Sequence, residues 1–190
     1  MDKRVEECVE QLLKCIEGES ELREGLVETP KRVAKMYDEI FGGYSCNPDE
    51  VLKKTFDAGY DEEKPYEQGM VIVKDIDFYS HCEHHMVPFV GKVNIGYIPK
   101  DRVVGISKFV RLVEGYAHRL QIQERLTDQI ASAIERELQP QGVIVVVEAQ
   151  HMCMKLRGVR NSTSCTVTSA VRGAFCNAET RQEFMSLIGR

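Results

Sequence analysis

Long apolar runs are missing from this sequence, which excludes a membrane-spanning helix. No stretch approaches the roughly 20 apolar residues that a helix needs to cross a bilayer. The first residues, Met1–Glu6, are mostly charged and lack the apolar core of a secretory signal peptide. We therefore expect a soluble, cytoplasmic protein.

The paired, closely spaced cysteines of a disulfide framework are missing as well. The chain has seven cysteines, an odd number, and they are scattered over predicted helices and strands. Reduced thiols are the better interpretation. Cys8 and Cys15 fall within the first helical pattern, where we expect them to pack as small apolar side chains.

An excess of basic residues is the third absence. The formal net charge is −5, which argues against general binding to nucleic acid. A small anionic substrate is still compatible with this charge, provided that basic side chains gather at one place.

The length and composition predict one core with an additional helical section. The chain has 190 residues, of which 43% are hydrophobic. We divide it into an N-terminal helical section, 1–43, and a larger domain, 44–190, that together form one functional unit. The segment 44–68 is rich in Pro, Gly, Asp and Glu and is expected to have little regular structure.

Hydrophobic periodicity predicts the elements on either side of that segment. Spacing typical of helices covers 3–17, the stretch from Thr29 to Gly42, the stretch that begins at Ser107, and 123–138. Alternating or β-branched runs typical of strands cover 71–78, 93–97, 143–147 and 164–171. The order strand pair, helix pair, strand pair predicts an α+β fold, in which two helices cover one face of an antiparallel sheet.

The chemistry of the chain is concentrated after the first of these strands. Residues 81–85 read His-Cys-Glu-His-His, in which Cys82 and His85 have the spacing of a metal half-site. A second pair, His151 and Cys153, follows the third strand. If the strand continues through them, residues two apart point to the same face and both side chains can enter one site.

The spacing leaves two alternatives for the ligand set. In the first, two thiolates and one imidazole hold a zinc ion with an open position for a reactive water, and the remaining histidines carry protons. In the second, Cys82, His85, His151 and Cys153 form a closed structural site. His81 is either an additional ligand or a surface imidazole, and we favour the surface.

Basic residues near a predicted helix start suggest a separate phosphate site. Ser107 begins the third predicted helix, and Lys108 and Arg111 occupy its first turn, where the free N–H groups attract anions. The remaining candidates for this cationic patch are Arg32, Lys35, Lys155 and Arg157. Such a patch would suit a polyphosphate, although each residue alone is most often a solvated surface charge.

An acidic candidate lies at the start of the fourth predicted helix. The carboxylate of Glu124 could accept two hydrogen bonds from the donor edge of guanine, and the neighbouring amide of Gln123 could add to this contact. The alternative is an acidic residue that interacts only with the helix dipole.

Six motifs together resemble GTP cyclohydrolase I, in order and without large gaps from about residue 28 onward. They are Thr29–Met36 (TPKRVAKM), Ser80–His85 (SHCEHH), Gly91–Lys100, Gly105–Lys108 (GISK), Gln121–Leu126 (QIQERL) and His151–Gly158 (HMCMKLRG). The resemblance implies the zinc-dependent hydrolysis of GTP to formate and 7,8-dihydroneopterin triphosphate, the first step of folate and pterin synthesis.

The resemblance also implies roles for individual residues. Cys82, His85 and Cys153 are similar to the zinc ligands, and the zinc-bound water attacks the carbon between the two nitrogens of the imidazole ring of guanine. The implied catalytic residues are His151 as proton donor, His84 as a second proton carrier, and Ser107 beside the ribose. The implied substrate contacts are Glu124 and Gln123 for guanine, and Lys108, Arg111, Arg157, Arg32 and Lys35 for the triphosphate.

The implied fold is the tunnelling fold, an antiparallel sheet with two helices on one face, here preceded by an N-terminal helical section. Its subunits assemble into two stacked pentamers with sites at subunit interfaces. Rival interpretations are a non-catalytic protein of this fold, either a metal-stabilised oligomer or a nucleotide-binding protein, and a relative that acts on a pterin or a deazaguanine. A zinc nucleobase deaminase is disfavoured because its His-x-Glu and Pro-Cys-x-x-Cys signatures are absent from the sequence.

Overall fold

The computed structural model describes residues 3–57, 59 and 69–190. Within these residues the helices are α1 (Lys3–Glu17), α2 (Thr29–Ile40), α3 (Ser107–Ala117), α4 (Gln123–Leu138), α5 (Met152–Lys155) and α6 (Ala178–Ile188). The strands are β1 (Thr55–Asp57), β2 (Val71–Cys82), β3 (Pro88–Ile98), β4 (Arg102–Val104), β5 (Leu120–Gln121), β6 (Gly142–His151) and β7 (Thr166–Gly173). The order confirms the predicted α+β class.

The main sheet has the strand order β5-β2-β3-β6-β7. Strands β2, β3, β6 and β7 are antiparallel neighbours, whereas the short β5 runs parallel to β2 through two residue pairs. Helices α3 and α4 pack on one face of this sheet. This arrangement, preceded by α1 and α2, is that of the tunnelling fold expected from the sequence.

Strand β6 is buried on both faces, as its continuous apolar run predicts. Val143, Val145 and Val147 point into the larger core, which β2, β3, α3 and α4 enclose. Ile144 and Val146, the alternate residues, belong to a second core on the reverse face. A strand has a side-chain period of two, so one uninterrupted run serves both cores.

The second core depends on α6, which was not predicted from the sequence. Phe184 of α6 and Phe175 pack against Ile144 and Val146. A Cβ atom at Gly96 of β3 would lie 2.7 Å from the ring of Phe184. Glycine at this position therefore lets the helix approach the sheet closely.

The prediction of little regular structure after residue 43 is wrong in part. Gly42–Ser45 and Pro48–Leu52 form 3₁₀ turns, and β1 pairs with β4 in a separate two-stranded sheet. Strands of three residues are too short to show a periodicity. The rest of this predicted loop, 58 and 60–68, lies outside the described residues.

The N-terminal section joins the sheet domain through a close backbone contact. The N–H of Gly43 donates to the carbonyl of His118 at 3.1 Å, and a Cβ atom at Gly43 would lie 2.3 Å from the carbonyl oxygen of Gly115. The predicted boundary between 43 and 44 falls inside this 3₁₀ turn, and the division itself stays a prediction. The described helices include none that is long and apolar enough to cross a membrane.

The sequence indicates Thr29 as the cap of α2 and Pro30 as its first helical residue, but the helix begins one residue earlier. Thr29 is its first helical residue and Glu28 occupies the cap position, without a side-chain hydrogen bond to the backbone. Pro30 follows within the first turn, where its missing N–H costs nothing.

One buried carboxylate links the 3₁₀ turn at Pro48–Leu52 to both long helices. The hydroxyl of Tyr116 on α3 donates to Asp49 at 2.6 Å, and Arg136 on α4 donates to the other carboxylate oxygen. Burial, followed by the hydrogen bond to Asp49, raises the pKa of Tyr116 to about 12. The phenol therefore stays a donor at neutral pH.

We predict that Asp49→Ala will lower the free energy of unfolding by about 2 kcal/mol, because it leaves the Tyr116 hydroxyl and Arg136 without their acceptor. Urea unfolding of the purified protein measures this change. Glu50→Ala is the matched control, since the side-chain partners of Glu50 among the described residues, Asn47 and Lys53, are exposed, and it should change the free energy by less than about 0.5 kcal/mol. Equal losses in the two variants would contradict the prediction.

Candidate active site

The first half of the site is the tight loop between β2 and β3. Strand β2 ends at Cys82, whose N–H donates to the carbonyl of Val87 at 2.9 Å. The N–H of Met86 returns to the carbonyl of Cys82 at 2.8 Å, and Met86 has a left-handed φ of 55°. This closed loop buries the thiol of Cys82 and leaves His84 and His85 exposed.

The second half does not lie on an extended strand as predicted. Strand β6 ends at His151, and the next residues turn into the short helix α5, which carries Cys153. The prediction that both side chains share one strand face is therefore wrong. Phe89 pairs with His151 across β3 and β6, so the end of β6 nevertheless lies beside the loop that holds Cys82.

Three donor atoms converge where the two halves meet. The sulfur atoms of Cys82 and Cys153 and a ring nitrogen of His85 lie within 4.8 Å of one another, and Nδ1 of His85 is 4.0 Å from the sulfur of Cys82. Zinc–sulfur bonds of about 2.3 Å and zinc–nitrogen bonds of about 2.0 Å place ligand atoms at similar separations. The donor set and the spacing therefore fit zinc.

The electrostatics of Cys153 also bear on metal binding. Burial, followed by the proximity of Cys82, raises the pKa of the Cys153 thiol, while Arg157 acts in the opposite direction. Arg157 also donates to the carbonyl of Cys153 at 3.1 Å. Metals bind the thiolate, so metal binding at Cys153 must release a proton.

His151 lies outside this three-atom group. Its Nε2 is 2.8 Å from Oε1 of Gln123, and its ring stacks on Phe89 with centroids 4.8 Å apart and planes inclined by 2°. Burial lowers the pKa of His151, and the charge of Glu124 opposes this effect. Among the described residues, the geometry favours the open three-ligand alternative over the closed four-ligand one.

His84 lies next to the group and is exposed. Its Nδ1 is 3.7 Å from the sulfur of Cys82, and its Nε2 is 3.9 Å from a carboxylate oxygen of Glu83. Arg125 on α4 donates to the other oxygen of Glu83 and ties the loop to the helix. Glu83 was not a candidate from the sequence, although it lies within the cluster.

The two guanine candidates on α4 point in different directions. Glu124 is exposed in the first turn, where a substrate can reach it. The side chain of Gln123 is buried and bonded inside the protein, so its amide is already engaged. Its predicted contact with substrate stays a prediction.

The phosphate candidates, apart from Lys155 on α5 and Arg157, lie on other elements. Arg32 and Lys35 are exposed on α2, and Ser107 and Arg111 are exposed at the start of α3. The Nζ of Lys108 donates to the carbonyl of Lys54 at 3.0 Å. Of the hydrogen bonds among described residues, none joins these five side chains to the cysteine and histidine cluster.

His81 is neither a member of the ligand group nor a surface imidazole. Its ring packs against Phe41 with centroids 5.2 Å apart, and its buried Nδ1 has no hydrogen-bond partner among the described residues. Burial, followed by the charge of His118, lowers its pKa. The prediction of a surface position is wrong because α2 ends over this residue.

An α+β sheet domain that gathers two thiols and one imidazole beside two further histidines has a site that could hold a catalytic metal ion. The sequence profile of the GTP cyclohydrolase I family matches residues 5–189. The chain belongs to the GTP cyclohydrolase I family.

Similar individual proteins also support this family membership. The chain is similar to the GTP cyclohydrolase 1 of Desulforamulus reducens, with 54% identity over 187 residues, which cover 97% of this chain and 96% of the relative. The protein of the same name from Carboxydothermus hydrogenoformans is 52% identical over 189 residues, with 98% and 94% covered. That from Brucella suis is 54% identical over 174 residues, with 90% and 78% covered.

We predict that Cys153→Ser will lower zinc binding by at least about 10-fold, because a hydroxyl is a poor substitute for a thiolate ligand. Zinc content after dialysis and competition with a chromophoric chelator measure the change. Cys165→Ser is the matched control, since Cys165 is an exposed cysteine outside the ligand group. Zinc retained by Cys153→Ser at the wild-type level would remove Cys153 from the ligand set.

Proposed function

We propose that the chain hydrolyses GTP to 7,8-dihydroneopterin triphosphate and formate, with zinc as its cofactor. Membership of the GTP cyclohydrolase I family supports the reaction. The observation that carries the cofactor is the convergence of Cys82, His85 and Cys153 within 4.8 Å. Zinc bound there would supply an acidified water at neutral pH.

His151 and His84 are proposed to move protons during the reaction. His151 protonates the nitrogen of the guanine imidazole ring next to the carbon that is attacked, and His84 assists as the ring opens and formate leaves. Their location next to the ligand group, but outside it, supports this division of roles. A positioned general acid or base contributes about 10²- to 10⁴-fold to a rate.

The substrate contacts are proposed from the family motifs and from exposure. Glu124 accepts hydrogen bonds from the donor edge of guanine, and Ser107 lies beside the ribose. The triphosphate is bound by Arg32, Lys35, Lys108, Arg111 and Arg157. The exposure of Glu124 and of the helix start at Ser107 supports these roles.

The proposed assembly is a decamer of two pentamers with sites between subunits. In one chain the phosphate candidates on α2 and α3 make no hydrogen bond, among described residues, to the metal cluster. A neighbouring subunit could supply these side chains to the site, which supports an interfacial site. The cytoplasmic location stays a prediction from the sequence.

Turnover with and without metal is the direct test of this function. We expect the purified protein to release formate and a fluorescent neopterin product from GTP. A chelator should abolish both products, and zinc should restore them, because the acidified water depends on the metal. Well-folded, zinc-loaded protein that forms neither product would contradict the proposal and favour a nucleotide-binding protein.

A single substitution separates proton transfer from metal binding. We expect His151→Ala to keep zinc near the wild-type level while formate release falls by at least about 100-fold, since a general acid is lost. Zinc analysis and formate assays on the same sample measure the two effects. Loss of zinc in this variant would return His151 to the ligand set. His118→Ala, which changes a histidine outside the site, is the control.

A further inference from the structure

The side chain of Gln123 is held inside the protein in one orientation. It is 1% exposed, and its amide nitrogen lies 3.0 Å from the carbonyl oxygens of Val147 and Thr166. A carbonyl oxygen can only accept a hydrogen bond, so the NH₂ group of the amide must face these two atoms. The flipped amide would place three oxygen atoms against one another without a hydrogen.

The hydrogen bonds of two threonine hydroxyl groups support the same orientation of the amide. Thr127 donates to the backbone carbonyl of Gln123 at 2.7 Å, so its hydroxyl hydrogen is used there. Thr168, 2.6 Å away, must then donate to Thr127. The oxygen of Thr168 is left as an acceptor, and it faces the amide nitrogen of Gln123 at 3.1 Å.

The orientation of the amide decides the protonation of the neighbouring histidine. With its NH₂ group engaged, Gln123 presents Oε1 to Nε2 of His151 at 2.8 Å. An amide oxygen cannot donate, so Nε2 must carry the hydrogen. A neutral imidazole has only one N–H group, which leaves Nδ1 unprotonated. The stacked ring of Phe89 keeps the imidazole in the plane that this bond requires.

We propose that Gln123 is a positioning residue that fixes the hydrogen of His151 on Nε2 and leaves Nδ1 as the nitrogen that exchanges a proton with the substrate. The inference rests on the proposed function, since it assigns the atom of His151 that acts. Nδ1 would accept a proton from the attacking water, whose oxygen adds to the ring carbon, and pass that proton to the guanine ring nitrogen, while the Nε2–H bond to Gln123 is retained. The side chain of Gln123 then supports a catalytic group instead of contacting guanine.

Two substitutions at Gln123 separate this role from a purely structural one. Gln123→Met keeps the length of the side chain but removes the acceptor. Gln123→Glu retains an oxygen that can face His151, yet it places an acid in a buried site and should be the less stable variant. If Gln123 only stabilises the fold, activity should follow stability and the glutamate variant should be the less active.

The positioning role predicts the opposite order. We expect kcat of Gln123→Met to fall by about 10- to 100-fold with little change in KM for GTP, as is typical when an orienting partner of an active-site group is lost. Gln123→Glu should recover part of this loss. A raised KM with an unchanged kcat in Gln123→Met would instead show that the side chain binds guanine, and would overturn the proposal.

Gln121→Met is the matched control for burial and lost hydrogen bonds. Gln121 is 2% exposed, and its side chain bonds to Tyr116, Gln129 and Arg125 but not to His151. Steady-state kinetics of the zinc-loaded proteins, corrected for the folded fraction, should give Gln121→Met a kcat close to that of the wild type. A loss as large as that of Gln123→Met would attribute the effect to general disturbance and overturn the proposal.

A spectroscopic test is independent of turnover. Magic-angle-spinning NMR of protein labelled with ¹⁵N-histidine distinguishes protonated from unprotonated ring nitrogens, and the His151 signals are those that disappear in His151→Ala. In the metal-free wild type we expect a protonated Nε2 and an unprotonated Nδ1, and in Gln123→Met a mixture of tautomers. A wild-type His151 with its hydrogen on Nδ1 would overturn the inference even if GTP were hydrolysed, whereas a wild type without GTP turnover would overturn the proposed function alone.

Discussion

The pairing of β3 with β6 is the interaction on which the site depends. Neither half of the ligand group has enough donor atoms alone, because the loop at the end of β2 supplies Cys82 and His85 and the segment after β6 supplies Cys153. Strand β3 lies between them and is hydrogen-bonded to both β2 and β6. The backbone hydrogen bonds between these strands therefore set the distance between ligands that are far apart in sequence.

The same strands explain why the site is rigid on one side and open on the other. Cys82 is buried and Cys153 packs against the larger core, while His84, His85 and Glu124 reach solvent. Close packing restricts side chains to one rotamer, so buried ligands lose little further freedom when a metal binds. The exposed residues can adjust to a substrate. A site with packed residues on one side and exposed residues on the other suits an enzyme whose substrate enters from water.

The sequence predicted the elements with strong periodicity and missed those that depend on tertiary contacts. Helix α4 was predicted with both its bounds, because its apolar stripe ends at a Pro-Gln-Gly break. Helix α6 was missed, although Asn177 caps it and Gly189 ends it with a left-handed φ of 82°. Most of its apolar side chains fall in the last five residues, Phe184–Ile188, so they show no helical periodicity, and their burial became evident only from the second core.

The sequence predicted which residues form the site more accurately than it predicted the directions of their side chains. Spacing alone selected Cys82, His85, His151 and Cys153, and the structure brings all four to one end of the sheet. It could not show that the chain turns helical after His151, nor that Gln123 faces inward. A polar residue at the start of a helix is ordinarily solvated, and the burial of Gln123 is favourable because the carbonyl groups of β6 and β7, Thr168 and His151 satisfy its amide.

The side chains of Val143–Val147 alternate between the two cores, and this alternation affects the position of the ligand group. Each residue of this run belongs to the opposite core from its neighbours, so a slip of one position would exchange the contents of the two cores. The same slip would displace the segment that follows the strand, and with it Cys153, by about 3.3 Å, which exceeds a metal–ligand bond length. The packing of alternate residues into the two hydrophobic cores therefore fixes the register of β6. That register in turn sets the position of the ligand that follows the strand.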